Sequence, residues 1–250
     1  MSDSRWNAAP RGYAGQAAAV DAGLRAYMIR VYNYMAAAVA LSGVVAYATF
    51  SAAVTTNEAG KIVLTSFGQT IFSGPVMIGL MLGTLGLVFF ISFRINSLQY
   101  STALTLFMVY AALLGVTLAP IFLTYTGASI TRVFFISAAS FGALSLYGYT
   151  TQRDLSAMGS FLIMGLFGII IASLVNIFLK SSGLDWAISV IGVGVFAGLT
   201  AYDTQRIKEM YSSMDDDGTI GRKAVIGALK LYLDFINLFL NLLRIFGRRR

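Results

Sequence analysis

Seven apolar runs dominate this sequence, at residues 31–50, 75–93, 101–123, 133–149, 158–179, 186–202 and 225–246. The first six contain no charged residue. A helix needs about 20 residues to cross the hydrocarbon of a bilayer, with a range of about 17–25, and every run fits. Barrel strands would be shorter and would alternate in polarity, a pattern absent here. The chain is therefore predicted to be an all-α integral membrane protein with seven transmembrane helices. Composition agrees: charged residues make up 12% of the chain and mean hydropathy is +0.74, whereas a soluble domain carries about a quarter charged residues. Lipid must be the solvent for much of the surface.

The net charge of +7 comes from 18 basic and 11 acidic residues. Most basic residues flank the apolar runs, so membrane orientation explains them. No basic patch with interleaved aromatics lies outside the runs, which argues against nucleic-acid binding. With the N-terminus inside, the inner face carries Arg5, Arg11, Arg25, Arg30, Arg94, Arg153, Arg206, Lys208, Arg222, Lys223 and Lys230, and the outer loops only Lys61, Arg132 and Lys180. The end of the chain breaks this bias. Seven full crossings place Arg244, Arg248, Arg249 and Arg250 outside. The last run is long enough for a full crossing, which is the expectation taken here.

Residues 1–30 are polar and rich in Ala and Gly, without the apolar core of a secretory signal. They are expected to form a flexible cytoplasmic tail, with residues 31–250 as a single seven-helix domain. There is no Cys and no His. That removes disulfides, thiol nucleophiles and Cys/His zinc sites. It also removes the side chain that titrates unassisted near neutral pH. An all-oxygen site for a hard cation such as calcium stays open.

Two acids stand out. Asp203 closes the sixth run, and Asp234 lies nine residues into the seventh, roughly 13 Å along a helix. Carboxylates at membrane depth are costly and usually mark an ion or proton path. Asp203 has a plainer reading as a span end paired with Arg206, three residues on. Asp234 has one as the partner of a snorkelling Lys230, four residues earlier on the same face. Lys230, Asp234, Asn237 and Asn241 form a polar stripe that should face protein or water rather than lipid. Both acids fall in the same half of the membrane and can meet. Two carboxylates within about 4–6 Å cannot both ionise easily, so they would titrate in coupled steps. Such a pair is a proton sensor without histidine. Arg94, ending the second run, is either an orientation anchor or a latch for an ionised aspartate.

Other features carry less. Gly194 and Gly198 form a small-xxx-small pair, and the fourth run is rich in small residues from Ser137 to Gly148, both suited to close helix packing. Gly192, Gly194 and Gly198 lack the spacing and βαβ context of a dinucleotide fingerprint. Asp215, Asp216 and Asp217 lack the ligand spacing of an EF-hand.

Ala201-Tyr202-Asp203-Thr204-Gln205 and Leu231-Tyr232-Leu233-Asp234-Phe235-Ile236-Asn237-Leu238-Phe239 resemble the last two helices of the Bax inhibitor-1 family (transmembrane Bax inhibitor motif, LifeGuard). Leu114-Gly115-Val116-Thr117-Leu118-Ala119-Pro120-Ile121 resembles its third helix, and Tyr147-Gly148-Tyr149-Thr150-Thr151-Gln152-Arg153-Asp154-Leu155 the end of its fourth. The resemblance runs from about Arg25 onward. It implies a seventh helix enclosed by the other six. It also implies a pH-dependent calcium leak governed by a two-aspartate sensor, with Asp203 and Asp234 in that role and as the candidate calcium site. Arg94 is the nearest match to an arginine of the closed state. The second run has no acidic residue where some relatives carry one. No tightly bound cofactor is expected, calcium being the transported ion. A monomer in a bacterial inner membrane is expected, with a membrane protease or other membrane proteins as candidate partners.

Two other classes compete. One is a regulator of other membrane proteins with no transport of its own. The other is an intramembrane aspartyl protease, which would need Gly-x-Gly-Asp where this chain reads Leu231-Tyr232-Leu233-Asp234. The expectation is therefore no enzyme.

Overall fold

The structure, a computed structural model, describes residues 11–58 and 61–250, with side chains from residue 20 onward. Its helices are α1 (Arg11–Ala53), α2 (Ser66–Ile71), α3 (Gly74–Arg94), α4 (Tyr100–Leu118), α5 (Ile121–Thr124), α6 (Gly127–Thr150), α7 (Ser156–Leu179), α8 (Ser182–Glu209) and α9 (Asp217–Phe246). Strands β1 (Val54–Thr56) and β2 (Ile62–Leu64) pair antiparallel in the register Val54 to Leu64. Seven helical segments are long and apolar enough to cross a membrane, the third being α4 and α5 together. Pro120 separates these two because it has no N–H to continue the ladder.

Every predicted span is present, with longer ends. The charged stretch between the sixth and seventh runs is mostly helix: α8 continues to Glu209 and α9 already starts at Asp217. Asp216 caps α9, accepting the Thr219 N–H at 3.1 Å and the Thr219 hydroxyl at 2.5 Å. Those bonds hold its carboxyl below the usual carboxylate range. The expected N-terminal tail also needs a new boundary. Residues 1–10 lie outside the described residues. From Arg11 the chain is helix, continuous with the first span, and Tyr27 and Met28 are buried. Ala-rich sequence favours helix whenever a packed helix lies ahead of it to extend.

Burial is uneven across the spans. In α9, 72% of the most apolar stretch is buried, against 44% in α8 and 11% and 6% in α3 and α7. The main partners of α9 are α1, α4, α6 and α8, while α3 lies on α4 and α7 on α8. A membrane helix shielded by protein can carry polar side chains that a lipid-facing helix cannot. This places the polar stripe of the seventh run where it is tolerated.

Contacts fix the two ends of the bundle. At one end, Lys208 Nζ donates to Tyr149 O at 3.0 Å, the Tyr34 and Tyr100 hydroxyls meet, and the Tyr27 and Tyr211 rings lie 5.6 Å apart. At the other, Phe50 stacks on Phe122 at 5.4 Å and Tyr125 bridges to Arg249. The last helix therefore runs the full length of the bundle, and its arginines lie at the end opposite Lys208.

Small residues set the close approaches, though not all those expected. A Cβ on Gly148 would fall 2.1 Å from Ala201 O, so α6 and α8 touch backbone to backbone there. A Cβ on Gly198 would strike Leu162 of α7, but one on Gly194 would meet nothing within 4 Å among the described residues, so the two do not act as a packing pair. Replacing Gly148 by Val should force α6 and α8 apart and cost about 1–3 kcal/mol, the usual penalty of overpacking. Thermal unfolding of the purified protein in detergent measures this, and an unchanged Tm would contradict the close approach.

Candidate functional site

The Gly148–Ala201 contact begins the segment of α8 that carries Asp203. A Cβ on Gly159 would strike the Tyr202 ring at 2.3 Å, so the start of α7 presses on the next residue. Thr204 Oγ1 donates to Thr200 O at 2.7 Å and meets Ser145 Oγ at 2.9 Å, which in turn meets Tyr32 Oη at 2.6 Å. Gln205 accepts the Leu155 N–H at 2.9 Å and donates to Arg153 O at 2.8 Å, tying α8 to the α6–α7 connection. Residues 201–205 are thus held on every side, and Asp203 is the one that points toward α9.

Asp234 is positioned from the other helix. Tyr232, one half-turn earlier, is fully buried, with Phe107 and Tyr110 edge-on at 5.7 and 6.0 Å. Its hydroxyl meets Ser42 Oγ at 2.6 Å, and that atom also lies 2.7 Å from Ala111 O and 2.9 Å from Ala38 O. One serine on α1 therefore joins α1, α4 and α9. Further along, Asn237 and Asn241 satisfy their amides on their own helix, donating to Leu233 O and Asn237 O at 2.8 Å each.

The two carboxyl groups lie close enough to interact electrostatically. A hydrogen bond between two carboxyls needs a proton on one of them, because ionised carboxylates only accept. The pair is graded in depth. Asp203 is 14% exposed at its side chain and has Lys230 Nζ 3.7 Å from Oδ1. Asp234 is 5% exposed, and its Oδ2 has no hydrogen-bond partner among the described residues. A buried, unpartnered carboxyl oxygen is costly and is a place for a proton, a water or a cation.

Two of the plainer pairings read from the sequence do not form. Lys230 reaches Asp203 rather than Asp234. A lysine on a membrane helix extends its flexible stem toward the aqueous end, and Asp203 lies that way. Arg206 pairs with Glu209 at 2.9 Å instead of Asp203. Arg94 is exposed at the end of α3 and forms no ion pair among the described residues. The structure brings Asp203 and Asp234 together and leaves Arg94 apart. Ser42, Tyr32 and Ser145 were not legible as site-supporting residues, because hydroxyls on apolar runs carry no spacing signal. No group of three or more Asp, Glu, Cys or His side chains is placed to hold a metal ion among the described residues. Two carboxyls beside a lysine are far short of the six to eight oxygens of a resident calcium site.

The family described as "Inhibitor of apoptosis-promoting Bax1" matches residues 24–250. The chain belongs to this Bax inhibitor-1 family. It is 49% identical over 233 residues to "Inner membrane protein YbhL" of Escherichia coli, covering 92% of this chain and 94% of that one. It is 51% identical over 230 residues to the Rickettsia prowazekii protein RP147, covering 92% of each. A Streptococcus pyogenes membrane protein, SpyM3_0260, is 37% identical over 229 residues, covering 91% of this chain and 95% of its own. The Bax inhibitor-1 match begins inside α1 and takes in every span, so the aspartate pair and its hydroxyl supports all lie within it.

Asp234→Asn replaces a carboxyl whose Oδ2 is unpartnered by an amide that can donate to Asp203. A hydrogen bond to a charged group contributes about 1.5–3 kcal/mol, offset here by burial. The variant should keep its fold, with a Tm at or above that of the parent protein in detergent. A Tm well below it would mean that an amide cannot stand in for the carboxyl between α8 and α9.

Proposed function

We propose that this Bax inhibitor-1 protein is a pH-sensitive, calcium-permeable leak channel whose proton sensor is the Asp203–Asp234 pair. The observation carrying the reading is the contact of two carboxyl groups, one of them deeply buried, on adjacent membrane-spanning helices. With one proton shared, the pair is a hydrogen bond that holds α8 against α9. With that proton gone, two negative charges face each other in a poorly solvated place and repel. Separation opens a polar path past Asp203, Asp234 and Asn241 and leaves two oxygen donors for a hard cation in transit. Calcium is here the cargo. Flux is therefore low where the pair holds its proton and rises as pH increases through its titration.

Lys230 supplies the local counter-charge. In this arrangement it stands where a latch would act, whereas Arg94 makes no ion pair among the described residues. The YbhL name and the basic residues on the Lys208 end together support an inner-membrane location with that end cytoplasmic.

The test is calcium entry into proteoliposomes containing this protein alone, across a pH series. Asp203→Asn and Asp234→Asn should each flatten the pH dependence. Unchanged dependence in both variants would end the sensor reading. Absence of calcium entry at any pH would favour instead a regulatory membrane protein that acts on partners, such as a membrane protease. Lys230→Gln should raise basal leak more than Arg94→Ala does, because only Lys230 lies beside the pair; the reverse order would restore Arg94 as the latch.

A further inference from the structure

The opposite end of the bundle carries a second site. Beyond Phe246 the chain folds back along the α5–α6 connection. Arg248 O accepts the Thr126 N–H at 3.1 Å, and Arg250 N–H donates to Thr124 O at 3.0 Å, flanking the Tyr125–Arg249 bridge. Arg248 N–H also donates to Ser129 Oγ at 2.8 Å. Gly247 permits the turn: a Cβ there would lie 2.2 Å from Leu243 O and 2.6 Å from the Tyr125 ring. Backbone bonds and one isolated bridge thus hold this segment in place, so it is not a loose end.

This segment delivers Arg248, Arg249 and Arg250 to a recess of about 540 Å³ that Arg132 of α6 also lines. No Asp or Glu lines it, and all four arginines are exposed. The recess also faces the start of α6, whose N-cap Thr126 makes no side-chain cap bond. Helix start and arginines add potential of the same sign. Four positive groups on one recess repel each other unless an anion joins them. They also lie at the end of the bundle where the charge bias disfavours them.

An apolar crevice of about 100 Å³ adjoins this recess, with Phe122, Ile130, Phe134 and Phe239 among its walls. Their walls are neighbours: Ser129 lines the recess and Ile130 the crevice. Arg250 sits over the Phe50 ring at 6.0 Å, Phe50 stacks on Phe122, and Phe122 lines the crevice. A basic recess beside an apolar crevice within a spanning segment matches a molecule with an anionic head and a hydrocarbon tail. A free anion would use the arginines and leave the crevice without a role.

We propose that this end of the protein binds an anionic phospholipid, its phosphate on Arg132, Arg248, Arg249 and Arg250 and its acyl chain along the Phe122 crevice. The site is independent of the aspartate pair. Its occupant comes from the leaflet at the tail end, where the arginines lie at headgroup level.

The test is thermal unfolding of the full-length protein in detergent, titrated separately with phosphatidylglycerol, phosphatidylcholine and inorganic phosphate. Phosphatidylglycerol should raise Tm at concentrations where the other two do not. Arg132→Gln leaves the backbone bonds of the terminal segment intact and should weaken the apparent phosphatidylglycerol affinity about fivefold. The triple change Arg248→Gln, Arg249→Gln and Arg250→Gln should abolish the preference for phosphatidylglycerol. Equal stabilisation by phosphatidylcholine would reduce the site to general lipid contact and overturn the proposal. Equal stabilisation by inorganic phosphate would make it a free-anion site and overturn it too. Undiminished affinity in Arg132→Gln would remove the arginines from the site.

Discussion

A carboxyl group that is 5% exposed in the middle of a membrane-spanning helix is the constraint around which this bundle is arranged. No lipid-facing helix could carry it at tolerable cost. It therefore needs protein on most sides, and α9 is the most buried of the spans. Asp203 meets it from α8, and their approach accompanies the register of α8 against α9. The register of α8 in turn depends on the absence of a side chain at Gly148 and on Gln205 reaching the α6–α7 connection. One expensive group thus accounts for a chain of otherwise unrelated contacts.

The bilayer made most of this fold legible. A spanning helix announces itself by length and lack of charge; six were visible in that way, and the seventh by its length despite Lys230, Asp234 and Arg244. What lay outside the hydrocarbon was less so. The short β1–β2 hairpin and α2 follow from local bonding at an aqueous edge, where no long period exists to read. The charged stretch from Asp203 to Ala224 looks like a loop by hydropathy, yet hydropathy measures only where a helix leaves the membrane. Asp216 shows where α9 begins, as a capping residue with Thr219 three positions on.

The site divides along the same line. Asp234 was legible because a carboxyl deep in an apolar run has few explanations. Its meeting with Asp203 followed from shared depth. The choice Lys230 makes between two aspartates was not legible, because helix spacing favours Asp234 while the length and direction of the lysine stem favour Asp203. The Ser42–Tyr232 bond joins residues far apart in the chain, and one sequence gives no hint that they face each other. Arg94 shows the converse, since position at a span end says nothing of which neighbour its side chain meets.

The Gly247 turn has a mechanical result. It ties the end of α9 to the α5–α6 corner, whereas the Asp216 cap lies within α9 itself. A rod tethered in that manner resists sliding along its axis, so a piston stroke is the least available motion. Residues 201–205 of α8 are held by α6, α7 and their connection. On the proposed gating, the carboxyls would part by a roll of α9 about its own axis, with α8 as the post it turns against.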